Sequence, residues 1–443
     1  MNVAMISLGC AKNQIDSEVM LKLLKDERYK IINNPYLADI IIINTCGFIE
    51  QAKQESIDTI IEMGQFKNKG RCKLLIATGC LSERYKEELL KEMPELDAVI
   101  GTGDYKSIVN VIEDCLKGKK IILYGNQENI NIDKLNRLIS TKGHTAYLKI
   151  AEGCNNRCTY CIIPSLRGRY RSRNFDDIII EAQWLASKGV KEVILVAQDT
   201  TVYGKDLYDK LMLPELLKSI AKIEGIEWIR LLYAYPDKFS DELIDIIAEE
   251  EKICKYIDIP IQHASNKILK LMGRSTTKEQ ILELVTNLRK KIPDITIRTT
   301  FIVGFPGEDE RDFEELVDFI KQIKFDRMGV FTYSREEDTP AYKLPNQIDE
   351  ETKLKRQEIL MSTQMNISLE KNLSFIGKTM KVLIEDYIDN QYIGRTYRDA
   401  PEIDGFVYFT SKKDLKIGEF TDVLITDATE YDLLGECKYE YSK

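Results

Sequence analysis

Histidine is nearly missing from this chain: His144 and His263 are the two in 443 residues. That inventory leaves too little material for a histidine-rich zinc or iron centre. Long apolar runs are missing as well. The longest, around Ile40–Ile43, is far short of the roughly 20 residues that cross a bilayer. The opening segment MNVAMISLGCAKNQ has neither a basic leader region nor a small-residue cleavage site, so secretion is not expected. Nor is there a surplus of positive charge. The formal net charge is −9, which argues against a generic nucleic-acid binder and against DNA as a partner. The expectation is a soluble cytoplasmic protein without a membrane anchor, still free to bind a basic partner.

Cysteine is what the chain has instead, ten of them. Without a secretory signal they do not read as a disulfide scaffold. Thiols kept reduced and clustered point to metal binding or catalysis.

The length predicts about two to four domains. Residues 1–117 alternate apolar runs (Val3–Leu8, Ile40–Ile43, Leu74–Ala77, Ala98–Ile100) with amphipathic helical stretches. That is βαβ order and predicts an α/β domain on a parallel sheet. Residues 118–141, with GNQENINID, read as a linker. From 142 to 372 the βα alternation resumes through six apolar runs, Ala146–Ile150, Val193–Val196, Ile229–Tyr233, Ile257–Ile261, Ile297–Val303 and Arg327–Thr332. Six strands with five intervening helices predict a partial (β/α)6 barrel, whose chemistry belongs at the carboxyl ends of its strands. A charged helix-forming stretch, Ile348–Lys371, bridges to residues 373–443. There, short alternating strands (Thr379–Ile384, Tyr392–Arg395, Phe406–Phe409, Phe420–Thr426) predict a small antiparallel β-barrel.

Cys154, Cys158 and Cys161 form a CxxxCxxC triad just after the first barrel strand. Thiolates are the preferred ligands of iron–sulfur clusters. Three of them ligate three irons of a [4Fe–4S] cube and leave the fourth open to an external chelator. Gly153, Asn155 and Asn156 suit a loop wrapped closely around an inorganic core. A zinc site would want a fourth Cys or His nearby, and none is in the neighbouring sequence.

Cys10, Cys46 and Cys80 lie far apart in sequence but share one setting: each follows an apolar strand, in MISLGC, IIINTC and LIATGC. Loops at the carboxyl ends of parallel strands converge on one crevice, so three thiolates can meet there and hold a second [4Fe–4S] cluster. The bland alternative is three buried thiols beside a sheet. Cys72, Cys115, Cys254 and Cys437 have no such context and read as ordinary thiols.

With these segments in hand, the chain resembles the radical-SAM methylthiotransferase family along essentially its whole length. SLGCAKNQIDSE, NTCGFI and the Gly79–Cys80 pair resemble the family's N-terminal domain. EGCNNRCTYCIIPSLRGRYRSR resembles its radical-SAM core, and the terminal barrel resembles its TRAM domain. The resemblance implies S-adenosyl-L-methionine bound at the open iron, reductive formation of a 5′-deoxyadenosyl radical, and Tyr160 lying close to the adenine. It implies no catalytic acid–base dyad, because radical chemistry at the clusters attacks the C–H bond. An electron donor is then required as a partner. One branch of the family methylthiolates an adenosine of transfer RNA; the other modifies the β-carbon of an aspartate in small-subunit ribosomal protein twelve. Ala11–Lys12–Asn13–Gln14, Gly47–Phe48–Ile49, IPIQHAS at 259–265 and YRDAPEIDGFVYF at 397–409 resemble the second branch. Charge agrees: Leu373–Lys443 holds nine Lys/Arg against fourteen Asp/Glu. An acidic barrel suits a basic ribosomal protein better than phosphate-rich RNA. The tRNA activity is the alternative, and a non-catalytic electron carrier a more distant one.

Other residues carry weaker expectations. Gln198 and Asp199 close a barrel strand and Gly304 ends another, so Gln198 and Gly304 are expected at the cofactor. Arg298 lies within a strand and, if buried, needs an anionic partner; the cofactor carboxylate is one. The alternating Arg167, Arg169, Arg171 and Arg173 read equally as an anion-facing set or a solvated basic stripe. His263 is expected near the pocket or as a structural histidine, and His144 as structural.

Overall fold

The computed structural model of the chain describes residues 1–130, 132–134 and 136–438. Residues 439–443 of the terminal domain lie outside the described residues.

The first domain is a six-stranded parallel sheet in the order β2-β1-β3-β4-β5-β6. Its strands are β1 (Asn2–Ser7), β2 (Lys30–Ile31), β3 (Ile40–Thr45), β4 (Leu74–Gly79), β5 (Ala98–Ile100) and β6 (Ile121–Leu123). Every residue of β3 and β4 is buried, as a parallel sheet covered on both faces requires. Ile40, Ile42, Leu74 and Ile76 pack with Ile15 and Val19 on one face. Ile41, Ile43, Leu75 and Ala77 pack with Ile60 and Leu81 on the other. The stretch read as a linker is structured in its described part: β6 pairs with β5, and Arg137 is buried between Glu18 and Glu181. β2 is only two residues long and β6 lies inside the stretch read as a linker, and neither was expected.

The central sheet runs β14-β13-β12-β11-β10-β7 and is parallel throughout. Its members are β7 (Thr145–Lys149), β10 (Glu192–Val196), β11 (Trp228–Leu231), β12 (Ile253–Gln262), β13 (Thr296–Val303) and β14 (Arg327–Thr332). A two-stranded ribbon, β8 (Ala151–Glu152) with β9 (Arg171–Ser172), brackets the CxxxCxxC loop. The helix Glu350–Leu373 covers the open edge at β14. There Gln357 Nε2 donates to the Val330 carbonyl at 2.7 Å and Gln364 Nε2 to that of Phe325 at 2.9 Å. Exposed edge groups are thereby paired within the chain.

The terminal domain is a closed barrel in the order β15-β16-β17-β19-β18. It comprises β15 (Thr379–Ile388), β16 (Gln391–Arg395), β17 (Val407–Thr410), β18 (Phe420–Ala428) and β19 (Leu433–Cys437). The expected four strands are present. The fifth, β19, closes the barrel by pairing parallel to β17, while the other pairs are antiparallel. The segment after β16 docks against the central sheet, with Tyr256 Oη donating to Asp404 Oδ2 at 2.7 Å and Arg230 Nη1 to the Tyr397 carbonyl at 2.7 Å. Among the described residues no helix is long and apolar enough to cross a membrane.

Candidate active site

The CxxxCxxC loop leaves the ribbon at Gly153, where φ is +79° and an added Cβ would lie 2.1 Å from the Arg169 carbonyl oxygen. Only glycine fits that turn. The loop is then tied down on several sides. Cys154 N donates to the Gly168 carbonyl at 3.2 Å, Asn156 Nδ2 to Asp199 Oδ2 at 2.9 Å, and Tyr170 N to Asn155 Oδ1 at 3.0 Å. Thr159 N bonds the Met272 carbonyl at 2.9 Å.

Burial first, then the Cys158 and Cys154 thiols, pushes Cys161 up to about 12, and burial, then Asp199 and the Cys158 thiol, pushes Cys154 up to about 11. Cys158 Sγ lies 3.7 Å from Tyr235 Oη and 3.9 Å from Arg274 Nη1. The Arg274 guanidinium stacks 3.9 Å from the centre of the Tyr235 ring. Neither Arg274 nor Tyr235 was singled out in the sequence, where each is one polar residue in a loop and nothing marks its partner.

The other expected cofactor residues separate into two groups. Tyr160 packs against the apolar cluster of Ile268, Met272, Phe305 and Tyr333. Gln198 Nε2 donates to Glu152 Oε1 at 2.6 Å, while its buried Oε1 has no hydrogen-bond partner among the described residues. That unmatched acceptor fits a donor group of a bound molecule. Gly304, at φ +70°, is instead crowded by the chain itself: an added Cβ would lie 2.2 Å from Lys353 Cγ, and its N–H donates to Glu308 Oε2 at 2.8 Å. Arg298 finds its anions in the protein, with Nη1 2.9 Å from Asp258 Oδ1 and Nε 3.5 Å from Asp404 Oδ1. Its partners belong to the junction with the terminal barrel, because it lies near the amino end of β13, away from the carboxyl ends. His263 is fully buried, accepts at Nδ1 from Ser265 N at 3.0 Å, and has its Nε2 3.5 Å from Glu308 Oε2. His144 sits 3.4 Å from Glu385, also at the barrel junction.

The second cysteine set occupies the carboxyl ends of β1, β3 and β4, which are neighbours in the sheet. Cys10 caps the helix Ala11–Asp26 and Cys80 begins the helix Cys80–Glu92. Helix amino ends favour anions. The loops touch through their glycines: a Cβ on Gly9 would meet Cys46 Cβ at 2.8 Å, and one on Gly47 would meet Leu81 N at 2.9 Å. Asn13 clamps all three loops, donating to the carbonyls of Leu8 and Thr45 at 3.0 and 2.9 Å. Its Oδ1 lies 3.8 Å from Cys80 Sγ. Burial and the neighbouring Cys80 thiol push Cys46 up to about 12. All ten cysteines are free. Among the described residues no three Cys, His, Asp or Glu side chains converge tightly enough for a single ion. A cubane binds each thiolate on a different iron, so wider spacing suits it.

The two sets share a wall. Cys80 packs with Ile162, which directly follows Cys161, with Leu166 one helical turn on, and with Phe48. Beside the wall runs a buried polar network. Lys149 Nζ bonds Asp16 Oδ1 at 2.6 Å and Glu152 Oε2 at 2.8 Å. Arg167 Nη1 lies 2.6 Å from Asp16 Oδ2 and 3.4 Å from Glu152 Oε2. Burial alone would raise the Glu152 carboxyl, but Lys149 and Arg167 hold it well below the usual carboxylate range. Of the four alternating arginines, Arg167 and Arg173 are buried and Arg169 is exposed, so the set is neither a stripe nor a single anion site.

Comparison with known proteins agrees with this layout. Residues 148–320 match the model of the radical SAM superfamily, residues 2–101 that of uncharacterized protein family UPF0004, and residues 376–437 that of the TRAM domain. The ribosomal protein uS12 methylthiotransferase RimO of Thermoanaerobacter sp. (strain X514) is 59% identical over 435 residues, covering 98% of this chain and 99% of that one. RimO of Clostridioides difficile (strain 630) is 55% identical, covering 99% of each. Among solved structures, the radical S-adenosylmethionine methyltransferase TsrM from Kitasatospora setae matches with a TM-score of 0.57 at 15% identity, over 77% of this chain and 76% of that one. That likeness is one of fold.

Proposed function

The chain belongs to the ribosomal protein uS12 methylthiotransferase (RimO) family, and on that premise we propose that it places a methylthio group on the β-carbon of an aspartate in uS12. The observation that carries this reading is the wall shared by the two cysteine sets, Cys80 against Ile162 and Leu166. It supports a radical-generating site with a second thiol site beside it, at the carboxyl ends of two sheets.

Cys154, Cys158 and Cys161 would hold a [4Fe–4S] cluster, and Cys10, Cys46 and Cys80 would hold a second one. When bound, these groups and S-adenosyl-L-methionine supply the radical, the sulfur and the methyl group, since this is cofactor chemistry. The chain's own residues aim and insulate it. Gln198 offers its free Oε1 to the cofactor's donors, and Tyr160 offers an aromatic face beside the triad. Arg274 places a fixed positive charge 3.9 Å from Cys158 Sγ. The apolar wall of Phe48, Ile162 and Leu166 keeps water from the space between the sites. An electron donor must reach the Cys154 loop. The acidic terminal barrel, with fourteen Asp/Glu against nine Lys/Arg in Leu373–Lys443, suits docking to a basic ribosomal protein by charge complementarity.

The test is a side-by-side assay of the anaerobically reconstituted protein with purified uS12 and with transfer RNA. Methylthiolated uS12 supports the reading; methylthiolated tRNA alone sinks it. S-adenosylmethionine that is not cleaved in either mixture would return the chain to the electron-carrier class.

A further inference from the structure

We propose that Arg167 is a positioning residue for the Cys10/Cys46/Cys80 centre, supplying the fixed positive charge that holds this anionic site against the radical-SAM core. The inference rests on the second cluster proposed above.

Arg167 ends the short helix Ile163–Arg167, which begins two residues after Cys161. It therefore belongs in sequence to one cysteine set. In space it serves the other. Its side chain is 4% exposed. One edge of the guanidinium faces Asp16 and Glu152. The other donates through Nη2 to Asn13 Oδ1, the oxygen that lies 3.8 Å from Cys80 Sγ.

Two lysines lie nearby. Lys149 Nζ is bonded to Asp16 and Glu152. Lys12, two residues after Cys10, holds its ammonium 3.3 Å from the centroid of the Tyr233 ring. Arg167 bonds both the carboxylates and Asn13, whose Oδ1 lies against Cys80 Sγ, and its planar fork does both at once. Three thiolates on an iron–sulfur cube make an anion, and reduction adds one more negative charge. A buried cation at this distance favours the reduced form and raises the midpoint potential, because net charge and hydrogen bonds to sulfur set it. Arg167 thus ties the electrical properties of the second centre to the loop that carries the first.

The experiment is a redox titration of the second centre, followed by electron paramagnetic resonance. It uses the full-length, anaerobically reconstituted chain with Cys154, Cys158 and Cys161 replaced by alanine, so that one centre is observed. Arg167→Gln is expected to lower the midpoint potential and alter the spectrum, and Arg167→Lys to restore most of the potential. Asp16→Asn, which removes the anion opposing Arg167, is expected to raise it. If Arg167→Gln does not fold, Asp16→Asn carries the test. Potentials that stay at the parent value in the folded Arg167→Gln and Asp16→Asn variants, or an Asp16→Asn shift downward, overturn the inference alone. A parent chain that takes up no iron overturns the second-centre reading together with this one.

Discussion

Arg395 of β16 donates through Nη2 to Glu192, the first residue of β10, at 2.6 Å, and neither side chain is more than 1% exposed. The terminal barrel is therefore anchored in the central sheet by buried charge. Glu192 also accepts from Arg230 Nε at 2.8 Å, so it balances two arginines from two domains. Breaking a buried pair by removing one partner costs about 3–5 kcal/mol. Glu192→Gln should exceed Arg395→Met in cost, because the first leaves Arg230 without its carboxylate while the second leaves Glu192 paired. Urea unfolding midpoints of the two variants check the order; equal, near-zero shifts would show that the junction carries no stability.

The same junction predicts a pH response. Burial raises the Glu385 carboxyl, but His144 and Arg395 outweigh it and bring the group down to about 2. A carboxyl depressed on folding contributes stability that is complete above its unfolded value and lost as pH falls through the folded one. Thermal unfolding should thus lose this contribution between about pH 4.5 and about 2. Glu385→Gln should flatten that part of the profile. An unchanged profile in the variant counts against the pairing.

Two glycines predict separable failures. Gly153→Ala must both adopt φ +79° and avoid the Arg169 carbonyl, and Gly79→Ala must adopt φ +94° with Asn44 Oδ1 2.3 Å from the new carbon. The left-handed backbone alone costs about 1–2 kcal/mol. Gly153→Ala should reduce iron at the CxxxCxxC loop and with it S-adenosylmethionine cleavage. Gly79→Ala should reduce iron at the other centre while cleavage persists. Iron analysis paired with quantification of 5′-deoxyadenosine distinguishes them, and identical losses in both variants would speak against independent centres.

Iron stoichiometry predicts the number of clusters. The reconstituted chain should hold about eight iron and eight sulfide, and replacing Cys10, Cys46 and Cys80 by alanine should leave about four. About four in the unaltered chain contradicts the second cluster.

Much of this was readable in the chain before the fold was known. Cys10, Cys46 and Cys80 each end an apolar run, and strand-end position is a property that sequence displays directly. Topology then adds what sequence does not: β1, β3 and β4 are neighbours. The CxxxCxxC spacing is local and survives folding unchanged. Arg298 shows the limit. Its position in a strand predicted burial and a need for an anion, but Asp258 and Asp404 come from another strand and another domain. Lys149, Arg137 and Arg167 are hidden for the same reason. A charged residue reads as solvated until its partner is placed, and Asp16 for Lys149 and Arg167, and Glu18 for Arg137, are more than a hundred residues away. β6 escaped notice because Ile121–Leu123 runs almost directly into the polar GNQENINID, and the whole segment read as a linker.

The central claim is the identity of the substrate, and mass spectrometry of uS12 incubated with the reconstituted protein, reductant and S-adenosylmethionine tests it most directly. The account predicts a gain of one methylthio group, localised to the β-carbon of a single aspartate and absent when Cys154 is alanine. Unmodified uS12 in a mixture where S-adenosylmethionine is being cleaved and tRNA is being methylthiolated would contradict it.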